Sequence, residues 1–139
     1  MSIAFAEAVR VMLLNDSTVS SAIPGGIFPD QIAQSNNSWP AADYSNVTSE
    51  PFSSIAGLNY GAKECSLELR VICNTMSQAK SAQSAIEAVI EANPTRKVVG
   101  SNTLYNLRSS NATTSSDDIT DGNDEPFRVL TMTISGWIT

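Results

Sequence analysis

The chain contains no histidine. That removes imidazole acid–base relays, histidine metal ligands and any Ser/His or Cys/His nucleophilic couple. Only two cysteines occur, Cys65 and Cys73. They lack Cys-x-x-Cys spacing, so a zinc or iron–sulfur site has no ligand set. On one continuous strand the two would stand roughly 26 Å apart at about 3.3 Å per residue, too far for a disulfide within that strand. The expectation is reduced thiols in a core, with an inter-chain bridge as the alternative. Positive charge is scarce, with 8 Lys and Arg against 14 Asp and Glu and a formal charge of -6. Lys63, Lys80 and Lys97 are scattered along the chain, which excludes the basic stripe that a general grip on nucleic acid needs. Long apolar runs are missing as well. The stretch Met1–Ala8 has neither the basic region of a signal peptide nor the length of a membrane span.

What is present suits one folded unit. A chain of 139 residues with 42% hydrophobic residues has enough apolar material for one core and is short for two. A helix is expected from Ser2, its cap, to about Asn15, with Phe5, Ala8, Val9, Met12 and Leu13 on one face. Ile3, Val11 and Leu14 flank the polar side, so this helix is apolar nearly all round and needs cover on more than one side. That cover comes either from the domain's own loops or from another subunit. Asp16 caps a short second helix that Ile23-Pro24-Gly25-Gly26 ends, and Ile27-Phe28-Pro29 reads as a short extended segment.

The strongest strand signal is Glu64–Asn74, where Cys65, Leu67, Leu69, Val71 and Cys73 alternate with Ser66, Glu68, Arg70 and Ile72. Thr75 or Ser77 then caps a helix over Gln78–Ala92, with Ala79, Ala82, Ala85, Ile86, Val89 and Ile90 as its apolar stripe. Asn93-Pro94 stops it, and Arg96 and Lys97 come close to the negative end of its dipole. Val98–Arg108 and Phe127–Ile138 read as two further strands, and Ala41–Thr48 as a weaker one. Long loops are expected at about 30–63 and 109–126. The implied fold is α+β, an antiparallel sheet of about four strands with two main helices packed on one face, in one domain over residues 1–139.

No constellation of catalytic residues stands out. Glu64 and Glu68 share a side of one strand but lie too far apart for direct coupling. Asp117, Asp118, Asp121, Asp124 and Glu125 cluster in the second loop. As an EF-hand, a loop beginning at Asp117 would carry Ile119 at its third position and Arg128 in place of the closing glutamate. A solvated loop is the plainer reading, and a small metal-binding or enzyme-regulating module using 117–125 is the alternative function. Gly57-Leu58-Asn59-Tyr60-Gly61-Ala62-Lys63 lacks Walker spacing and precedes a strand, so it suits a loop presenting Tyr60 or Lys63 at a contact surface. No metal and no cofactor is expected.

The ordered pattern resembles the tail completion, or tail-to-head joining, family of long-tailed bacteriophages, which is related in fold to tail terminators. Three features carry the likeness. The opening helix Phe5–Leu14 is followed by Asp16–Ile23 and Pro24-Gly25-Gly26-Ile27-Phe28-Pro29. The strand Leu67-Glu68-Leu69-Arg70-Val71-Ile72 leads through Ser77-Gln78-Ala79-Lys80 into an Ala-rich helix. An acidic loop precedes the closing strand Phe127–Ile138. The resemblance implies a structural virion protein without enzymatic activity, assembled in the host cytoplasm. It implies a ring, usually a hexamer, at the neck, capping the tail tube and meeting the head connector. Partners would then be further copies, the tail tube protein and the head-completion protein, with no membrane and no specific nucleic-acid binding. Interface residues would be Ile3, Val11, Leu14, Tyr60, Lys63, Asp117, Asp118, Asp121 and Asp124.

Overall fold

The computed structural model describes residues 3–30, 32, 38–53, 59–93, 95–120 and 126–138. Helix α1 spans Ile3–Leu14 and buries Phe5, Val9, Met12 and Leu13, the stripe set by their spacing. Its expected cap, Ser2, lies outside the described residues. Helix α2, Ser17–Ala22, begins where the Asp16 carboxylate accepts from the amides of Thr18 and Val19, both at 3.0 Å. Helix α3, Met76–Ala92, begins at Thr75, whose hydroxyl accepts from the Gln78 amide at 3.2 Å. The Gln78 side chain reaches back to the Asn74 amide at 2.9 Å, so two amides that the helix cannot satisfy find acceptors.

Among the described residues six strands form one sheet: β1 Ile27–Pro29, β2 Ala41–Ser53, β3 Asn59–Cys73, β4 Arg96–Val99, β5 Asn102–Thr120 and β6 Pro126–Ile138. Their spatial order is β1-β2-β3-β6-β5-β4. In β3 the alternation read from sequence holds, because Cys65, Leu67, Leu69, Val71 and Cys73 are all buried. Register pairs Leu67 with Ile134, Leu69 with Met132 and Val71 with Leu130, so one face of β3 and β6 presents a continuous apolar surface. The helix stripes and this sheet face join in one hydrophobic core. Burying each such aliphatic side chain contributes about 1.5–3 kcal/mol.

The expected four-stranded antiparallel sheet is overturned in three places. Ile27–Pro29 joins the sheet and runs parallel to β2, with Ile27 against Ala42, which makes the sheet mixed. The single strand read at Val98–Arg108 is a hairpin of β4 and β5, with Arg96 opposite Tyr105 and Val99 opposite Asn102. Gly100, at φ 60°, supplies the left-handed backbone for its two-residue turn. The polar stretches read as loops are mostly strand: β2 and β3 pair from Ala41↔Ile72 to Ser53↔Asn59, and β5 and β6 from Leu104↔Ile138 to Thr120↔Pro126. Strand ladders need backbone partners rather than apolar side chains, so Ser/Thr-rich segments extend them well past the core. Among the described residues three helices accompany this sheet, the two main ones and the short helix expected after Asp16.

Candidate interaction surfaces

The sheet face turned away from the helices is polar but not bare. Asp43 is only 2% exposed, and its carboxylate takes the Arg70 guanidinium at 2.8 Å and 3.3 Å. Thr48 and Ser66 share a hydrogen bond of 2.7 Å, and Arg108 approaches Glu64 at 3.6 Å. At one end the face becomes apolar, where Ala41, Ile72 and Val129 fall in one register row with Ala41 and Val129 buried. These contacts knit strands together, and the Arg108–Glu64 pair also lines a shallow depression with Thr48, Glu50, Ser66 and Thr133.

Both Cys65 and Cys73 are buried as thiols. Burial pushes the Cys73 thiol up to about 11, away from the thiolate that a nucleophile or ligand requires. The Tyr44 hydroxyl is also pushed above its usual range, first by burial and then by the charge of Glu7. Among the described residues no group of three His, Cys, Asp or Glu side chains is placed to hold a metal ion. No helix among them is long and apolar enough to cross a membrane.

The sequence-derived interface residues are distributed over three regions. On α1, Val11 is half-buried and lies in a shallow groove with Ala4, Ala8, Val99 and Gly100, while Leu14 packs partly on the core. Ile3 opens the helix. Tyr60 and Lys63 belong to β3, near the end where it pairs with the far end of β2. Asp117 and Asp118 belong to β5, and Asp121 and Asp124 lie outside the described residues. The two hairpins that carry these groups extend from opposite ends of the sheet. Pairing of β3 with β6 runs only from Lys63↔Ile138 to Cys73↔Arg128, whereas β2–β3 continues past one end and β5–β6 past the other. The structure therefore separates Tyr60 and Lys63 from Asp117 and Asp118 by the length of the central sheet.

Sequence reasoning missed a surface at the sheet edge. Arg96, Lys97 and Val98 are exposed on β4, Val98 at 52%. Apolar material meets solvent here beside the Val11 groove, since Val99 lines both that groove and a second one with Met12, Val89 and Lys97. A signal was available: Arg96-Lys97 is the one adjacent pair of basic residues in the chain. The Gly-Ser dipeptide directly after Val99 marks the hairpin which makes β4 an edge.

No protein-family model and no curated protein matches the sequence. Solved structures do match. The chain is similar to a protein in the virion of a native gene transfer agent particle, with a TM-score of 0.70 and 14% identity, covering 95% of this chain and 92% of that one. It is also similar to the gp17 protein of bacteriophage SPP1, with a TM-score of 0.51 and 12% identity over 96% and 89% of the two chains. At these identities the likeness is one of fold. The resemblance to phage tail-completion proteins therefore holds at the level of architecture, over nearly the whole chain.

Proposed function

We propose that this protein is a structural component of the neck of a phage-like particle. There it self-associates as a ring, expected to be hexameric, at the top of the tail, caps the tail tube and meets the head connector. The observation that carries the reading is the shared fold with a virion component across 95% of the chain, reached from a sequence pattern that already resembled the tail-completion family. Several features support it. Helix α1 keeps Val11 at the surface beside an apolar groove, as a subunit that gains cover from a neighbour would. Hairpins at opposite ends of the sheet give one subunit two distinct contact regions, suited to partners above and below. The net charge of -6 would leave a ring lumen unattractive to passing DNA.

The test is native mass measurement and electron microscopy of the purified protein, alone and with its tail tube protein. Closed rings bound at one end of tail tubes are the expected result. Monomers under both conditions would count against the proposal. Monomers in the isolated sample alone would not, because ordering can await the partner.

A further inference from the structure

The two outer strands of the sheet offer different edges. On β1 the Ile27 carbonyl accepts from Arg10 Nε at 2.8 Å, and Pro29 has no amide hydrogen, so little outer backbone is left to pair. On β4 the outer side carries no strand among the described residues. The direction of its backbone groups follows from the hairpin. A two-residue turn makes Val99 and Asn102 a hydrogen-bonded pair, and in the same alternation the Asn106 amide donates to the Thr95 carbonyl at 3.1 Å. Lys97 therefore directs its amide and carbonyl to β5. Arg96 and Val98 stand in the intervening pairs and turn theirs to the open edge.

The side chains along that edge narrow what can pair with it. Arg96, Lys97 and Val98 are exposed, and neither basic residue has an ion-pair partner among the described residues. By contrast Arg10, Arg70 and Arg108 are each paired with a carboxylate of their own subunit. Asp16 lines the groove beside Lys97, but its carboxylate already accepts from two amides of α2. Arg96 and Val98 share one face of the strand and Lys97 takes the other. A strand paired there needs acids on both of its faces and an aliphatic residue opposite Val98. Past Val98 the apolar surface continues into the groove of Ala4, Ala8, Val11 and Val99, where Glu7 is held by Arg10 at 2.9 Å. Two pairings with a further copy are disfavoured. A second β4 edge would bring the basic residues of both copies together, and β1 offers few backbone groups. Basic residues on an edge strand thus guard it against its own kind and leave it open to a strand of opposite charge.

We infer that the β4 edge receives an extended acidic segment of a partner protein as an additional strand. The segment pairs with the backbone of Arg96 and Val98 and sets carboxylates against the Arg96 and Lys97 side chains. Its aliphatic side chains cover Val98 and the adjoining groove. This contact does not depend on ring formation.

The experiment is calorimetric titration of the full-length chain with a synthetic peptide, Thr-Thr-Val-Glu-Glu-Val-Thr-Thr, whose central pattern fits either strand direction. Wild type should bind it at about 1 mM peptide, and more weakly as salt rises. Arg96→Glu/Lys97→Glu should lower the affinity about tenfold or more, with an unchanged unfolding midpoint showing that the variant folds. Exchanging both peptide glutamates for lysine should do the same to wild type and restore binding to the reversed variant. Methyl groups on one alternating set of peptide amides should abolish binding, and on the other set leave it, since only every second residue faces β4. Wild type that does not bind the peptide overturns the inference. So does charge reversal without effect, or equal binding of the two methylated peptides. A duplex oligonucleotide bound through Arg96 and Lys97 in place of the peptide would assign the edge to phosphate. A wild-type assembly whose own contacts shut the peptide out would assign it to a second copy, and either result also overturns the inference.

Discussion

Asp43 is the residue whose environment departs furthest from its ordinary preference, a carboxylate almost without solvent access and held by a guanidinium that is itself partly exposed. Removing the cation would leave the acid buried and unpaired. Arg70→Ala should therefore destabilise the subunit by about 2 kcal/mol, reduced from the cost at a fully buried pair because Arg70 retains solvent. Asp43→Asn should cost less, and urea unfolding of both variants would check the order. Cys73 gives a second expectation. Its thiol has a higher pKa when folded, so the native state holds this proton more tightly than the unfolded chain. The corresponding stability is complete below the unfolded value near 9 and is lost as pH rises toward about 11. Stability measured from pH 8 to 11 should fall less steeply in Cys73→Ala than in wild type. If the two slopes match, burial is not the cause.

Among the elements, the helices were legible in the sequence because their signals are local. Thr75 and Gln78 satisfy the first amides of α3, and the Ala/Ile/Val stripe results from side-chain spacing alone. Thr75→Ala should lower stability by about 1 kcal/mol, with Thr75→Ser close to wild type, by thermal or urea unfolding. The central strand was legible for a similar reason, since its alternation survives any choice of partner. Strand number was not. Ile27–Pro29 is too short to announce itself, and its place in the sheet depends on β2 arriving beside it. The hairpin at Gly100 was written in the residues but obscured by Val98 and Val99, which invite reading as one continuous strand with Asn102–Arg108. Gly136 shows the same dependence on tertiary context. A Cβ there would lie 2.9 Å from both Leu107 Cδ2 and the Tyr105 carbonyl, so Gly136→Ala should destabilise by about 1–3 kcal/mol in urea unfolding.

At the scale of the molecule, the proposed contact at the β4 edge should separate docking from folding. Val98 is more than half exposed, so Val98→Asp should leave the unfolding midpoint of the isolated subunit nearly unchanged while weakening capture of the acidic peptide. A parallel loss of both would assign Val98 to the fold instead of the interface. Composition alone removed imidazole chemistry, because absent side chains cannot be restored by folding. The apolar periods of α1, α3 and β3 likewise settled where a core would form, since side-chain spacing along a helix or strand is fixed by backbone geometry. Which strands lie at the two edges of the sheet depended on pairing between segments far apart in the chain. Those pairings are made by backbone groups that every residue carries, so only the tertiary structure could choose among them.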